Sequence, residues 1–315
     1  MEIPLHLMND GMLVSRQLEA RGYDTRPLRR AAAGGRFTRL ARGVYVDARV
    51  WGAATRRQRH VLRCRATAAR LGTDLVLAGP SAAAVLGLAY ARQWPDAVCA
   101  LNSVADGTRR RGGVIWWGHD DCGSVVRDLG WARVTDPYRT AVELSARESF
   151  VAGVVTADSA LRAKGHRGAG DGEDDLLATA ETLRLRRGAR RVARVASFAN
   201  GLSESAGESW TRVVLADFGA PPPELQVDIL DEGLWLARVD FCWPSQRVVL
   251  EFDGEKKYRA ALRAPGRSVE DVVIEEKRRE DRLRAAGWTV LRIVWDDLRE
   301  PERLRRLLRR AGLIA

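Results

Sequence analysis

The chain has 315 residues, of which 46% are hydrophobic and 30% are charged, and its formal net charge at pH 7 is +11. This length favours two or three compact units, and the ordinary globular composition excludes a largely disordered chain and an integral membrane protein. The positive charge favours a polyanionic partner, with nucleic acid as the first candidate, because cations bound to phosphates release counterions.

The positive charge is concentrated near the N-terminus. Between Met1 and Arg65 there are fourteen arginines and five acidic residues, so this segment contributes nine of the eleven net charges. A GC-rich genome would also favour arginine over lysine, and the charge alone therefore leaves the partner open. No apolar run approaches the roughly 20 residues that span a bilayer, and no signal peptide pattern opens the chain. We expect a cytoplasmic protein without a membrane partner.

The first fifty residues predict a winged helix-turn-helix. Helices are expected over Val14 to Ala20 and Thr25 to Ala33, separated by a tight turn, and the alternating stretch Arg36 to Val46 predicts the hairpin that forms the wing. Thr25 is expected to cap the second helix. A helical hairpin whose arginines are merely solvated is the alternative.

In a winged helix-turn-helix the second helix enters the major groove of DNA and the wing reaches phosphates. The predicted DNA-binding residues of this module are Arg26, Arg29, Arg30, Arg36, Arg39 and Arg42. The stretch Arg36-Phe-Thr-Arg-Leu-Ala-Arg-Gly-Val-Tyr-Val46 resembles the wing of the AbiEi-type antitoxin N-terminal domain of bacterial type IV toxin-antitoxin systems. The resemblance implies a regulator that binds double-stranded DNA at its own promoter and has a cognate toxin as partner.

The segment 53–163 predicts a central α/β or α+β domain. Helices are expected over Arg56 to Leu71 and Ser81 to Leu88, and strands over Val98 to Asn102 and Val114 to Trp117. The stretch Asp136-Pro-Tyr-Arg-Thr-Ala-Val-Glu-Leu-Ser145 resembles a segment that follows the winged helix in AbiEi-like proteins, and we interpret it as a packing motif.

The cysteines and histidines do not predict a metal site. Cys64, Cys99, Cys122 and Cys242 form no CxxC pair, and we interpret them as small core residues. The sequence His119-Asp120-Asp121 follows a predicted strand and is interpreted as a solvated loop. Phosphate-binding glycine motifs are also missing from the sequence, so nucleotide hydrolysis is not predicted.

Residues Gly165 to Asp175 are rich in glycine and aspartate and predict a linker. We therefore expect a multidomain α/β protein with a winged helix (1–52), a central domain (53–163), a linker with a helix (164–202) and a C-terminal domain (203–315). The order predicted for the last domain is αβββαβ. Its elements are expected at Ser205 to Phe218, Leu225 to Leu230, Trp235 to Cys242, Val248 to Asp253, Val272 to Ala286 and Trp288 to Trp295.

The carboxylates of this last domain predict a metal site. Glu251 and Asp253 are two residues apart on the third strand, so their side chains leave the same face of the sheet. Asp240 is expected to pair with Glu251, because a hairpin turning between Ser245 and Gln246 places both at equal distances from the turn. Converging carboxylates repel one another unless a cation or a proton lies between them. Mg²⁺ or Mn²⁺ is the predicted occupant, held by Asp240 and Glu251.

Two further residues complete a predicted site for phosphodiester hydrolysis. Glu208 on the preceding helix is a further oxygen donor, and Lys257 would position the attacking water or stabilise the developing charge. The predicted catalytic residues are Asp240, Glu251, Asp253, Lys257 and Glu208. On the following helix Lys277 and Arg278 are predicted DNA contacts, and its other charges are expected to form pairs such as Glu280 with Arg284.

Residues from about Glu208 to Arg310 resemble the PD-(D/E)XK nuclease superfamily, in the branch related to very short patch repair endonucleases. The matching stretches are Glu208-Ser-Trp210, Arg238-Val-Asp-Phe241, Glu251-Phe-Asp-Gly254 with Lys257-Tyr258, and Glu276-Lys-Arg-Arg-Glu-Asp-Arg-Leu-Arg-Ala-Ala-Gly-Trp288. The resemblance implies a restriction-endonuclease-like core and metal-dependent cleavage of DNA.

One position departs from the superfamily pattern. Asp253 stands where the superfamily usually has a catalytic lysine, and Lys257 or Lys277 is then expected to take that role. Two hypotheses follow: a metal-dependent DNA endonuclease, or an AbiEi-like regulator whose nuclease-like domain is catalytically degenerate. In the alternative to a metal site, the strand-end carboxylates pair with local arginines such as Arg238 and Arg247.

Overall fold

The computed structural model describes residues 3–9, 11–102, 107–118, 125–168, 170–185, 187–254 and 269–315. The chain forms an N-terminal unit, Met1–Glu148 with Asp174–Ala193, and a C-terminal unit, Ser149–Glu173 with Arg194–Ala315. Both units combine helices with a sheet, which confirms the multidomain α/β fold class. The four segments expected from the sequence are a finer division, and their boundaries stay predictions.

The N-terminal unit begins with the expected helix, turn, helix and hairpin. Its first elements are β1 (Met12–Val14), α1 (Ser15–Glu19), α2 (Arg26–Ala33), β2 (Phe37–Ala41) and β3 (Val44–Asp47). The three strands form an antiparallel sheet in the order β1-β3-β2. Leu13, Leu18 and Leu28 pack with Phe37 and Tyr45 in a common core, which fixes the helices against the sheet.

Thr25 is the N-cap residue of α2, as predicted, but its side chain makes no capping hydrogen bond. The Thr25 backbone is helical, with φ −92° and ψ −2°, and its hydroxyl donates to Oε1 of Glu19 at 2.9 Å. Oδ1 of Asp24 instead accepts a hydrogen bond from the backbone N–H of Arg26 at 2.9 Å. The buried Thr25 thus connects α2 to α1, and the acceptor at the start of the helix is one residue earlier than expected.

A six-stranded mixed sheet follows, with the strand order β6-β7-β5-β4-β9-β8. Its region contains α3 (Ala48–Ala53), α4 (Arg56–Leu71), β4 (Val76–Leu77), α5 (Gly79–Leu86), β5 (Val98–Asn102), β6 (Thr108–Arg111), β7 (Val114–Gly118), β8 (Val126–Asp128), β9 (Arg133–Thr135) and α6 (Pro137–Arg147). The expected helices at α4 and α5 and strands at β5 and β7 are confirmed. The other strands of this sheet were not predicted.

Helix α6 confirms the interpretation of its sequence as a packing motif. The Asp136 carboxylate accepts from the backbone N–H of Arg139 at 2.8 Å and caps the helix. One turn further, the Arg139 guanidinium donates through Nε to Oε1 of Glu143 at 2.9 Å, and both side chains are 0% exposed. An ion pair without solvent access occupies the centre of this helix face.

The chain then forms α7 (Phe150–Ala163), α8 (Glu173–Thr182) and α9 (Ala189–Phe198). Helix α7 falls within the segment 53–163 that was predicted as the central domain, but it belongs to the C-terminal unit. Its buried Asp158 accepts a hydrogen bond from Nη1 of Arg212 at 2.7 Å. Burial raises the pKa of Asp158, against the opposing charge of Arg212.

The predicted αβββαβ order of the C-terminal unit is confirmed. Its elements are α10 (Ala206–Asp217), β10 (Glu224–Asp231), β11 (Leu234–Trp243), β12 (Val248–Phe252), α11 (Val269–Ala285), β13 (Thr289–Ile293), α12 (Trp295–Arg299) and α13 (Glu302–Arg310). The sheet has the order β10-β11-β12-β13, antiparallel except for the parallel pair β12 and β13. The last strand ends before Trp295, which begins α12 instead.

The register of β11 and β12 is the one predicted from the turn. Phe241 pairs with Leu250, and Trp243 pairs with Val248 on either side of the short turn at Pro244–Gln246. The paired residues end at Phe241 and Leu250, one position short of Asp240 and Glu251, so the pairing of the two carboxylates stays a prediction.

Close packing of α10 on β12 depends on Gly207. A Cβ added there would lie 2.0 Å from Cε1 of Phe252, whose ring is held edge-to-face by Trp295 with centroids 5.0 Å apart. We expect Gly207→Ala to lower the free energy of unfolding by about 1–3 kcal/mol, because an overpacked core strains its neighbours. Urea denaturation would measure the loss. Gly52→Ala, which meets no atom within 4 Å, is the control, and equal stability of both variants would contradict the packing account.

Three of the cysteines are buried free thiols, as interpreted from the sequence. Burial raises the pKa of Cys64 and Cys99 to about 12, so both stay protonated at neutral pH. Cys122 and the sequence His119-Asp120-Asp121 lie outside the described residues. In the part of the chain that the structure describes, every helix is too short or too polar to cross a membrane.

Candidate nucleic-acid interface and carboxylate site

A groove of about 800 Å³ lies beside α1, α2 and the hairpin of β2 and β3. The arginines that line it are Arg16, Arg29, Arg39, Arg42 and Arg70, all of them exposed. Glu19 is the one acidic residue among its lining residues that the structure describes. A concave row of cations concentrates positive potential, and this is the electrostatic condition for binding a phosphate backbone. We call this surface the arginine groove.

Three of the predicted DNA-binding residues meet in the arginine groove. Arg29 comes from α2, Arg39 from β2, and Arg42 from the turn of the hairpin. Among the described residues, no carboxylate forms an ion pair with any of the three, so their guanidinium groups are not neutralised by the fold. The structure thus joins the predicted recognition helix and the predicted wing through one cationic surface.

The other three predicted arginines of this module are exposed but do not line the groove. The Arg26 side chain is 82% exposed and forms an ion pair with Asp24 at 2.9 Å, while Arg36 lies over the ring of Phe37. Arg30 follows Arg29 on the exposed face of α2. These side chains remain accessible to a ligand outside the groove.

Two arginines of the groove were not predicted from the sequence. Arg16 lies on α1, and Arg70 is in the last turn of α4, far along the chain from the winged helix. Nη2 of Arg16 donates to the carbonyl oxygen of Ala69 at 3.4 Å, which brings the two helices together. No local pattern could have placed Arg70 here, because its position depends on how α4 packs against the hairpin.

In the C-terminal unit, two predicted carboxylates share one amide. Nε2 of Gln226 donates to Oε2 of Glu208 at 3.0 Å and lies 3.4 Å from Oδ1 of Asp240. Gln226 lies on β10 with φ +55°, a left-handed conformation that is unfavourable for a residue with a side chain. From this backbone position the side-chain amide of Gln226 lies between the buried carboxylates of Glu208 and Asp240. Gln226 was missed because a single polar residue in a strand has no sequence signal.

The negative charge of Glu251 is neutralised by arginine. The Arg279 guanidinium donates from Nη1 and Nη2 to the two carboxylate oxygens of Glu251, at 2.6 Å each. Nη2 of Arg292, on β13, lies 3.7 Å from Glu251 and 2.6 Å from Glu276. Glu251 is 5% exposed, so this bidentate pair is largely shielded from water.

The pKa values of this cluster follow from its geometry. Burial alone would lower the pKa of Arg279, but hydrogen bonds and charges of Glu276 and Glu251 outweigh burial and raise it. Burial alone would raise the pKa of Glu276, but its contacts with Arg279 and Arg292 hold it below the ordinary value. Arg279 and Glu276 are therefore both charged at neutral pH.

Glu251 pairs with arginines, as in the alternative to a metal site, but these arginines are not the expected Arg238 and Arg247. Arg238 contacts Glu204 at 3.3 Å and Gln226 at 3.1 Å, and Arg247 donates to the carbonyl oxygen of Ala286. These two arginines, which the sequence suggested, thus bind elsewhere. Arg279 and Arg292 take their place because α11 packs on β11 and β13, the two strands that flank β12, and β13 pairs with β12.

The remaining predicted site residues are distributed around this cluster. Asp253 is half-buried and its backbone N–H donates to the carbonyl oxygen of Ile293 at 2.8 Å, while Lys257 lies outside the described residues. Lys277 and Arg278 are exposed on α11. The expected pair on that helix is confirmed, with Glu280 and Arg284 2.6 Å apart.

The carboxylates predicted to hold a metal ion accept hydrogen bonds from N–H groups. Both oxygens of Glu251 accept from a guanidinium, and Oδ2 of Asp240 accepts from the backbone N–H of Phe252 at 2.9 Å. Within the described ranges, no group of three or more histidines, cysteines, aspartates or glutamates is arranged to hold a metal ion. A cation at Glu251 would have to displace Arg279. The expectation of Mg²⁺ or Mn²⁺ stays a prediction.

Comparisons with known proteins agree with the N-terminal part of this picture. A family described as "Transcriptional regulator, AbiEi antitoxin" matches residues 2–46. Proteins from two strains of Mycobacterium tuberculosis, both named as uncharacterized, are each 32% identical over 225 residues, which cover 67% of this chain and 81% of each relative. The chain belongs to the family of these mycobacterial proteins. The functional information comes from the antitoxin match.

The antitoxin match covers the groove arginines of α1, α2 and the hairpin. Arg16, Arg29, Arg39 and Arg42 all fall within residues 2–46, whereas Arg70 lies beyond them. Residues 2–46 are therefore similar to the AbiEi antitoxin family. The carboxylate cluster of the C-terminal unit lies outside the matched residues.

Proposed function

We propose that the protein is a transcriptional regulator of the AbiEi antitoxin type that binds double-stranded DNA through its N-terminal unit. The observation that carries the proposal is the arginine groove, in which Arg29 of α2 and Arg39 and Arg42 of the hairpin line one cationic surface. A cognate toxin is the partner that the family description suggests.

The orientation of α2 supports its role as the recognition helix. Leu28 is buried in the core of the winged helix, so the opposite face of α2 presents Arg26, Arg29 and Arg30 to solvent. A helix held in this way can insert its exposed face into the major groove of DNA while the hairpin contacts the phosphates. Arg39 and Arg42 would then bind phosphates beside the groove, and side chains of α2 would contact base edges.

For the C-terminal unit we propose a nuclease-like domain in which an arginine, rather than a metal ion, neutralises Glu251. The αβββαβ order and the antiparallel pair of β11 and β12, which carry Asp240 and Glu251, support the likeness to nucleases. The bidentate contact of Arg279 with Glu251 supports a state without metal. DNA binding by the regulator then needs no divalent cation.

Selection from a random-sequence duplex pool tests the regulator proposal. Protein would be immobilised and bound duplexes enriched over several rounds, in parallel in EDTA and in Mg²⁺. We expect one common sequence motif under both conditions. Failure to enrich any motif in either buffer would overturn sequence-specific regulation.

A cleavage assay tests the endonuclease alternative on the same material. Supercoiled, linear and single-stranded DNA would be incubated with wild-type protein and Asp240→Ala in Mg²⁺, Mn²⁺ and EDTA. We expect intact DNA in every reaction. Metal-dependent cleavage that is lost in Asp240→Ala would instead establish a working nuclease and contradict the arginine-neutralised state.

A further inference from the structure

A second cationic groove, of about 510 Å³, lies beside β6 and β7 in the N-terminal unit. Arg70, Arg109 and Arg111 line it together with Trp116 and Asn102. Arg70 also lines the arginine groove, so the two grooves share one residue. The cationic surface of the winged helix therefore continues onto the six-stranded sheet.

Arg70 is held where the two grooves meet. Its Nη2 donates to the carbonyl oxygen of Gly112 at 2.9 Å, in the turn between β6 and β7. Gly112 has φ +62°, and a Cβ on it would lie 3.5 Å from Nη1 of Arg70, so the turn and the guanidinium are closely packed. This contact fixes the last turn of α4 against the edge of the sheet.

Strand β6 presents arginines on both of its faces, but only one face lines the groove. Arg109 pairs across the strands with Trp116, and Arg111 lies two residues further on the same face. Arg110 points to the opposite face and is not among the lining residues. All four residues of β6 are exposed, and no carboxylate among the described residues forms an ion pair with these three arginines.

Protection of an exposed sheet edge is the simplest role for charges on β6. Charged side chains on an edge strand discourage pairing with another chain, and β6 is the edge of its sheet. That role would be served equally by Arg110 and needs no groove. It leaves unexplained why Arg109 and Arg111 converge with Arg70 in a concavity that continues from the arginine groove.

We propose that Arg70, Arg109 and Arg111 form a second phosphate-binding surface, which holds duplex DNA beyond the segment bound by the winged helix. The inference rests on the proposed DNA-binding function and assigns part of it to the central sheet. The duplex would leave the arginine groove past Arg70, and its phosphates would contact the β6 face. A guanidinium suits this role because it presents several donors to phosphate oxygens.

The test compares duplexes of two lengths by fluorescence anisotropy at several NaCl concentrations. The short duplex, roughly 14 base pairs, accommodates the winged helix alone, and the long one, about 35 base pairs, reaches past it. Both have mixed sequence. We expect Arg109→Ala/Arg111→Ala to weaken binding of the long duplex about tenfold and to reduce its salt slope by roughly 2, since each phosphate contact contributes about 0.9. Binding of the short duplex should change little.

Arg110→Ala/Arg127→Ala is the matched control. It also removes two exposed arginines, one from the other face of β6 and one from β8 at the opposite edge of the sheet, and should bind both duplexes like wild type. Wild-type affinity and slope for Arg109→Ala/Arg111→Ala on the long duplex would overturn the inference alone. A wild type that binds neither duplex would overturn the proposed function itself.

Discussion

Replacing Glu143 with alanine is expected to lower the free energy of unfolding of the N-terminal unit by about 3–5 kcal/mol. Glu143 and Arg139 have fully buried side chains one turn apart on α6, with 2.9 Å between Oε1 and Nε. Deleting the carboxylate removes the counter-charge that Glu143 supplies to this fully buried guanidinium. Breaking a buried pair from one side is costly, whereas the intact pair contributes little net stability.

Chemical denaturation followed by circular dichroism measures this loss. The control is the double variant Arg139→Met/Glu143→Leu, which removes both charges while keeping apolar volume. It should be much more stable than Glu143→Ala, because no charge remains buried without a partner. Oε2 of Glu143 accepts no hydrogen bond from the described residues, so the native pair is itself imperfectly satisfied. A double variant as unstable as the single one would contradict the account.

Replacing Arg279 with methionine is expected to destabilise the C-terminal unit by about 2–4 kcal/mol at neutral pH. The variant removes both donors that lie 2.6 Å from the Glu251 oxygens and leaves Arg292 at 3.7 Å as the nearest described cation. Methionine keeps most of the apolar stem, so lost charge rather than lost packing dominates the effect. Arg278→Met, on the exposed face of the same helix, is the matched control.

The destabilisation should depend on pH in a definite direction. The folded-state pKa of Glu276 is below its ordinary 4.5, so its contribution is present above pH 4.5 and is lost as the pH falls through the folded value. The difference between wild type and Arg279→Met should therefore be largest near neutral pH and shrink in acid. A difference that grows in acid would contradict the charge network.

Arg279→Met also tests whether arginine replaces a metal ion. With the guanidinium removed, the Glu251 oxygens become available to a cation, and millimolar Mn²⁺ should raise the melting temperature of the variant. Wild type should show no such shift. A Mn²⁺-induced shift in wild type but not in the variant would show that Arg279 does not compete with metal.

Much of the local structure was predictable where short-range signals agree. Helix α4 has the predicted bounds, because Thr55 and Gln58 form a capping box at its start and Gly72 ends it. The β11–β12 register follows from turn residues and from the alternation of the two strands. By contrast, β4 consists of Val76–Leu77 and is too short for any periodicity. Tertiary packing alone gives it a place between β5 and β9.

The candidate sites were predictable only in part, because long side chains act across elements. The charge-dense sequence of α11 predicts a solvated face, and Lys277 and Arg278 do lie exposed. The next residue, Arg279, points inward and donates a hydrogen bond to Glu251, although the two residues are 28 positions apart in sequence. Converging carboxylates predict a cation, but sequence cannot distinguish a metal ion from a guanidinium supplied by another element.

DNA affinity of Arg29→Ala/Arg39→Ala/Arg42→Ala, measured by anisotropy across a salt series on duplex DNA, tests the central claim most directly. Arg110→Ala/Arg127→Ala/Arg187→Ala removes three exposed arginines of the same unit from outside the arginine groove and is the control. We predict a loss of at least roughly tenfold in affinity and a salt slope lower by about 3 for the groove variant, with the control close to wild type. Equal affinity and equal slope for the groove variant and wild type would contradict DNA binding through the winged helix.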